Sequence, residues 1–348
     1  MAEQKESRLN EFLENPERSL WSIAIPVIAG MAIQTFYSIV DMLFIGQLGG
    51  SSIAAVAFNM PLYFFVMGIT FGIGTGITAT ISKAIGEQDK DKADNAAKHG
   101  ILIALLMGTT LTAFGLLIGK DVLSMLGAPS ELIDESWDYL RVTCYGMMFI
   151  VFSIVFRSIL AGEGDMKFPV MVAATGTILN IILDPIFIFG WFGFPAMELA
   201  GAATAMTLTR FGTLVVALWY INADNLVLRK AHFAGWLHSA KRILHVGVPA
   251  IATNLIGPAT AAYITFLIAD YGEAAVAGFG VANRVEAVAA MLMFALSGSI
   301  GPFVGQNWGA HMVDRVRTGV TASYLFCLGW GLLVTLPLFF LGAEIASL

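Results

Sequence analysis

Residues 20–45 read LWSIAIPVIAGMAIQTFYSIVDMLFI. At about 1.5 Å per residue such a run crosses a hydrocarbon core of about 30 Å as a helix, and Asp41 is its one charged residue. A carboxylate at membrane depth costs about 2.5–3.5 kcal/mol on insertion scales, so it persists where it is paired, faces an internal cavity, or takes up and releases cations. Gln34, Tyr37 and Asp41 follow at spacings of three and four, on one stripe of that helix. The stretch therefore predicts a membrane helix that does chemistry.

Eight further runs of spanning length follow, at 53–81, 96–118, 139–160, 168–189, 199–220, 246–269, 275–304 and 319–341. With 57% hydrophobic and 13% charged residues, the chain cannot form a soluble globule with a polar coat. The fold class is an all-α polytopic membrane protein.

The basic residues fall on one side of this alternation. Lys5, Arg8, Arg18, Lys83, Lys90, Lys92, Lys98, Arg157, Lys167 and the basic residues from Arg229 to Arg242, with Arg315 and Arg317, are counted in the loops on the N-terminal side. The opposite side holds only Lys120 and Arg141, among Asp121, Glu131, Asp134, Glu135, Asp138, Glu198, Asp270 and Glu273. The positive-inside rule then puts the N-terminus in the cytoplasm, and the expected location is a bacterial-type inner membrane. Residues 1–18 are charged and lack the apolar core of a signal peptide, and Asn15-Pro16 reads as the start of the first helix.

Shifting the chain by 223 residues aligns Pro26 with Pro249, Ile28 with Ile251, Gly49 with Gly272, Gly86 with Gly309, Asp91 with Asp314 and Lys92 with Arg315. Six spans separate the copies, and an even number makes the repeat parallel. The predicted layout is a cytoplasmic segment 1–18, a six-helix lobe 19–222, a cytoplasmic linker 223–244 and a partial second lobe 245–348 with spans seven to nine. The second copy stops after its third span, so the chain reads as C-terminally truncated by about 100 residues relative to a full repeat. Asp41 aligns with Ile264 and Gln34 with Gly257, which confines the polar stripe to the first copy.

The fifth span offers Asn180 and Asp184, four apart on one face and late in the span, as Asp41 is in its own. Tyr139, at the start of the fourth span, reaches a similar depth. Two desolvated carboxylates near each other suit the uptake and release of a cation; the bland alternative is that each accepts hydrogen bonds as packing glue. Arg210 in the sixth span and Arg284 with Glu286 in the eighth are the other deep charges, and the last two, being two residues apart, do not share a helix face. Arg210 reads as structural or as a counter-ion, Glu286 as a second cation or substrate contact. Methionines such as Met31, Met67 and Met206 suit either packing or the wall of an adaptable apolar cavity. Cys144 and Cys327 read as packing residues, and no histidine falls mid-span. Neither a Walker A motif nor HExxH or GxSxG is present, so nothing points to an ATPase, a metalloprotease or a serine hydrolase. Gly72, Gly74 and Gly76 read as sites of close helix approach.

The stretch Asn180-Ile181-Ile182-Leu183-Asp184-Pro185-Ile186-Phe187-Ile188, with Gly162-Glu163-Gly164-Asp165, Asp41 after Pro26, and the Gly86 loop with its Asp-Lys pairs, resembles the multidrug and toxic compound extrusion (MATE) family over essentially the whole chain. The resemblance implies a two-lobe antiporter, not an enzyme. It would export amphipathic, often cationic drugs or toxic compounds in exchange for H⁺ or Na⁺, with no cofactor, nucleic acid or obligate protein partner. It is nearest the DinF-like branch, whose cation site corresponds here to Asp41, Tyr139, Asn180 and Asp184, with Na⁺ possible at Asp41, Asp184 and Asn180. Gly257 stands where the NorM-like branch has an acid. In the sixth span Met206, with Thr204 and Thr207 nearby, stands where proton-coupled relatives can have a threonine. Gln34, Tyr37, Pro26, Arg210, Arg284, Glu286 and Met206 are the expected substrate or gating residues, with Pro26 as a kink in the first helix. A lipid-linked saccharide flippase of the same superfamily is the alternative.

Overall fold

The structure, a computed structural model, describes residues 16–223, 235–268, 271 and 273–346. Among these the chain forms nine long helices: α1 Pro16–Leu48, α2 Gly50–Gly86, α3 Lys90–Met125, α4 Ile133–Gly162, α5 Lys167–Phe189, α6 Glu198–Ala223, α7 Trp236–Ile268, α8 Glu273–Gly309 and α9 Val313–Ala346. Each contains a stretch long and apolar enough to cross a membrane, where a helix satisfies its backbone without water. The order and number agree with the spans read from the sequence. The expected cap at Asn15, the linker around Arg229 and the turn at Gly272 lie outside the described residues.

Local chemistry sets the helix ends. The Asp89 side chain accepts a hydrogen bond from the Lys92 backbone N–H at 3.0 Å and caps α3. Gly190, at φ 75°, ends α5 in the left-handed region, and the chain turns through a single 3₁₀ turn, Trp191–Gly193, into α6. At the acid-rich end of the bundle the two basic residues are paired: Lys120 with Asp134 at 2.7 Å and Arg141 with Asp138 at 3.1 Å.

Helix α2 is the hub, packing against α3, α4, α7 and α8. Ile73, Ile77 and Ile81 of α2 meet Val151, Val155 and Ile159 of α4, Ala97 of α3 and Ile243 of α7 in the main buried cluster. Glycines bring the backbones together, as their spacing predicts. A Cβ on Gly72 would lie 2.6 Å from the backbone N of Ile251, and one on Gly76 would strike the Ile243 carbonyl.

Helices α2 and α8 cross near their basic ends in a reciprocal way. Gly86 lies against the carbonyl of Gln306, and Gly309 lies against the carbonyl of Lys83. Gly86 and Gly309 are equivalent at the 223-residue shift, and so are Lys83 and Gln306. The Gln306 amide also donates to the Gly162 carbonyl at the end of α4, at 3.1 Å. Along α7 the close approaches run from Ile243 to Leu255. Further towards the acid-rich end, Ile256 through Thr260 are exposed and a Cβ on Gly257 would meet nothing within 4 Å. The first six helices and α7–α8 are thus joined tightly at the basic end, and α7 is free of them towards the other.

Candidate cation and substrate site

Helices α1 and α5 run in the same direction and pack side by side. Gly30 makes this possible: a Cβ there would sit 3.1 Å from Cγ1 of Val170. Asp41 is eleven residues beyond Gly30, and Asp184 fourteen beyond Val170, so at about 1.5 Å per residue the two carboxylates differ in height by roughly 5 Å. They lie in the acid-end half of the bundle, as the sequence predicts.

Asp184 is fully buried. One carboxylate oxygen accepts a 2.7 Å hydrogen bond from the Asn180 side-chain amide, and the other has no partner. Pro185 follows directly inside α5, and since it lacks an N–H, the carbonyl four residues before it, that of Ile181, loses its helical donor. Asp41 is partly buried on α1. The Asp41 and Asp184 carboxylates and the Tyr37 and Tyr139 phenols are all close enough to interact electrostatically. Tyr139 also packs against the buried cluster that contains Ile45, Ile188 and Leu199. The structure therefore brings together Asp41, Asp184, Asn180, Tyr139 and Tyr37 from α1, α4 and α5.

The remaining expected residues divide. Gln34 lies exposed on the stripe below Tyr37. Met206 and Arg210, one turn apart on α6, are part-buried, and Arg210 is within electrostatic range of Tyr37. Glu286 is exposed on α8, outside this group. The side chains of Pro26 and Arg284 lie outside the described residues. Thr207, next to Met206, packs on Gly146 and its hydroxyl has no partner.

Arg157 is a correction. Counted above with the loops, it lies inside α4, five residues before its end, and is exposed there. Its guanidinium carbon sits 5.6 Å from the Phe71 ring centroid on α2, and it is within electrostatic range of Arg210 on α6. The signal was available, since residue 157 falls within the run 139–160. Lys98, also counted as a loop residue, is buried in the first turns of α3. Cys144 and Cys327 are free thiols, and Cys144 packs in the core.

The family model described as MatE matches residues 26–186 and 249–348. The chain belongs to the MatE family. Among curated relatives it is 30% identical to a FAD transporter of Shewanella oneidensis, over 95% of this chain and 74% of that protein. It is 29% identical to the probable multidrug resistance protein YoeA of Bacillus subtilis, over 88% of this chain and 69% of that protein. A solved structure described as the outward-facing conformation of a multidrug resistance MATE family transporter of the MOP superfamily superimposes with a TM-score of 0.87 at 27% identity, covering 96% of this chain and 74% of the other. As a MatE protein the chain is a multi-pass membrane protein from a family of transporters, and the two matched segments begin at Pro26 and Pro249, the pair from which the internal repeat was read.

Proposed function

We propose that this chain is a secondary active antiporter that exports amphipathic organic compounds across a bacterial-type inner membrane in exchange for H⁺ or Na⁺. The observation that carries the reading is Asp184: a wholly buried carboxylate with one oxygen bonded to Asn180, the other unpartnered, and a second carboxylate, Asp41, within electrostatic range. A buried site of this kind is stabilised when a cation arrives and offsets part of its negative charge. A proton would satisfy the open oxygen of Asp184; a Na⁺ would draw on Asp184, Asp41, the Asn180 oxygen and the freed Ile181 carbonyl. The polar cluster lies wholly in the first six helices, which agrees with a DinF-like member.

The positive-inside rule puts the basic end in the cytoplasm, together with the N-terminus. The tight α2–α8 crossing then closes the inner side, and the exposed stretch of α7 opens to the outside, like the neighbour described as outward-facing. Cation binding between α1 and α5 would bias α1 against its neighbours and shift the population between outward-open and inward-open states. Relatives named for multidrug resistance support drug-like cargo; the one named FAD transporter supports a larger aromatic anion. The lipid-linked saccharide flippase is the second reading, and coupling to a cation gradient separates it from the antiporter.

The test is substrate-triggered H⁺ release from energised everted vesicles, with and without Na⁺, for the wild-type chain and for Asp41→Asn and Asp184→Asn. Loss of the response in both variants is expected. Undiminished release in both would sink the proposal; a response that needs Na⁺ would name the ion.

A further inference from the structure

Resting on the exporter reading, we propose that Asn59 and Ser136 hold a buried water between α2 and α4, and that this water is a step in a proton path from Glu135 at the acid-rich end to Tyr139 and the Asp41–Asp184 pair. Both residues are buried. The Asn59 side-chain amide donates twice, to the Ala55 carbonyl on its own helix at 2.8 Å and to the Ser136 carbonyl on α4 at 3.1 Å. Two carbonyls around the amide nitrogen fix which end of the amide is which. Its oxygen is then left with no partner, and so is the Ser136 hydroxyl. The two orphans belong to groups that the 3.1 Å contact already joins, and a water reaching about 2.8 Å to each side suits such a gap. Polar residues kept only to glue two helices have their buried atoms paired. An orphaned acceptor beside an orphaned hydroxyl calls instead for a small ligand that both donates and accepts. The two oxygens are uncharged, and the neighbouring carboxylate, Glu135, is bonded to Ser52, so the chemistry is that of water and not of a metal ion.

The site stands between the acid-rich end and the acid pair. Outward, Ser52 lies two turns before Asn59 on the same face of α2 and donates to the Glu135 carboxylate, and Glu135 directly precedes Ser136. Ser52 is buried and Glu135 half-buried. Inward, Tyr139 lies one turn beyond Ser136 on α4. It packs against the buried cluster that contains Ala55, whose carbonyl holds the Asn59 amide, together with Ile45 and Ile188. Ile45 and Ile188 are each one turn beyond Asp41 and Asp184 on their helices. Packing contacts and helical register thus lead from Asn59 to Tyr139 and on to the acids. Asp184 is fully buried, so a proton bound for its open oxygen travels through hydroxyls or water. In each passage the water takes a proton from the Glu135 side and gives one to the Tyr139 hydroxyl, which passes its own to a carboxylate. Water and tyrosine end unchanged, the carboxylate gains one proton, and the solvent outside replaces the one that Glu135 gave up. Such a file carries protons and not Na⁺, which would have to reach Asp41 and Asp184 by another way.

The test has two arms, both on the purified full chain in nanodiscs or crystals. A structure at a resolution that shows ordered water is expected to hold one water within hydrogen-bond distance of Asn59 Oδ1 and Ser136 Oγ; a dry gap, or a direct bond between the two, overturns the site. In the second arm a stopped-flow acid jump with a pH dye measures the rate and amplitude of the proton uptake that Asp41→Asn/Asp184→Asn lacks. Ser136→Ala and Asn59→Leu are expected to slow this uptake by about tenfold or more with its amplitude unchanged. Ser136→Thr, which restores the hydroxyl, should recover the rate. A packing role would instead lower the amplitude through loss of folded protein and leave the rate alone. If Asn59→Leu does not fold, the comparison of Ser136→Ala with Ser136→Thr decides. Wild-type rates in the variants overturn the path and leave the antiporter standing, whereas no such uptake by the wild-type chain overturns cation coupling and the path with it.

Discussion

Asp184 and Asn180 are both buried, and the hydrogen bond between them is 2.7 Å. Replacing Asn180 by Ala removes a hydrogen bond to a charged group, worth about 1.5–3 kcal/mol, and leaves the carboxylate with no donor. Export by Asn180→Ala is expected to fall by about tenfold or more in vesicle assays, and an unchanged initial rate would show that the bond has no part in transport. In the apolar core, Ile81 is buried against α4, and Ile81→Ala should cost about 2–5 kcal/mol, seen as a lowered thermal midpoint in detergent with the transport mechanism intact. The acid pair was legible in the sequence because a charge inside an apolar run stands out, and helical spacing groups Asn180 with Asp184 without any tertiary information. Arg157 was equally visible as a charge but was grouped with the basic loops, since a residue near the end of a run reads as a loop residue until the helix is seen to continue past it to Gly162. The partnerless oxygen of Asp184 and the neighbourhood of Arg157, Phe71 and Arg210 join three helices, and no periodicity along one chain encodes which helices become neighbours.

At the scale of helices, glycine spacing was readable as close approach, but the partner was not. Gly86 could have met any neighbour; the structure sets it on the carbonyl of Gln306, and sets its repeat-equivalent Gly309 on the carbonyl of Lys83, the repeat-equivalent of Gln306. Gly309→Leu and Gly86→Leu are expected to push α2 and α8 apart towards the ordinary interaxial distance of about 8–10 Å. Spin labels at Lys90 and His311, both exposed near the crossing, would report this as a longer mean distance and a larger fraction of chains open at the basic end. Identical distance distributions in the wild type and both variants would remove the crossing from the account of gating. The glycines at the crossing are the pair that the 223-residue shift aligns, and the shift was readable because turn glycines and the Asp-basic pair recur where apolar identities alone carry little information.

For the molecule as a whole, the tight joint at the basic end and the bare stretch of α7 predict a sided pattern of accessibility. In a background lacking Cys144 and Cys327, a cysteine at Thr260 should react with a membrane-impermeant maleimide added outside intact cells, and a cysteine at Ser82, buried at the crossing, should react from neither side in this conformation. Labelling of position 260 only from the cytoplasm would reverse the orientation. The number and order of the spans came from hydropathy, and their sidedness from counting basic residues, both properties of composition that survive any packing. Which end is closed depends on where backbone meets backbone, and the sequence holds that only as scattered glycines.

The α2–α8 crossing has one more property. The two carbonyls at its centre are already occupied: that of Lys83 accepts from the Glu87 N–H at 2.9 Å, and that of Gln306 from the Ala310 N–H at 3.0 Å. Pulling the helices apart therefore orphans neither of these two carbonyls, and among the described residues the hydrogen bond that ties this end of α8 to the first six helices is the one from Gln306 to Gly162 of α4. A seam of this kind comes apart and re-forms like two dry, matched faces of a bearing. Its strength lies mostly in contact area, which vanishes smoothly with distance, so each working cycle can reuse the same surface and need re-form only the bond from Gln306.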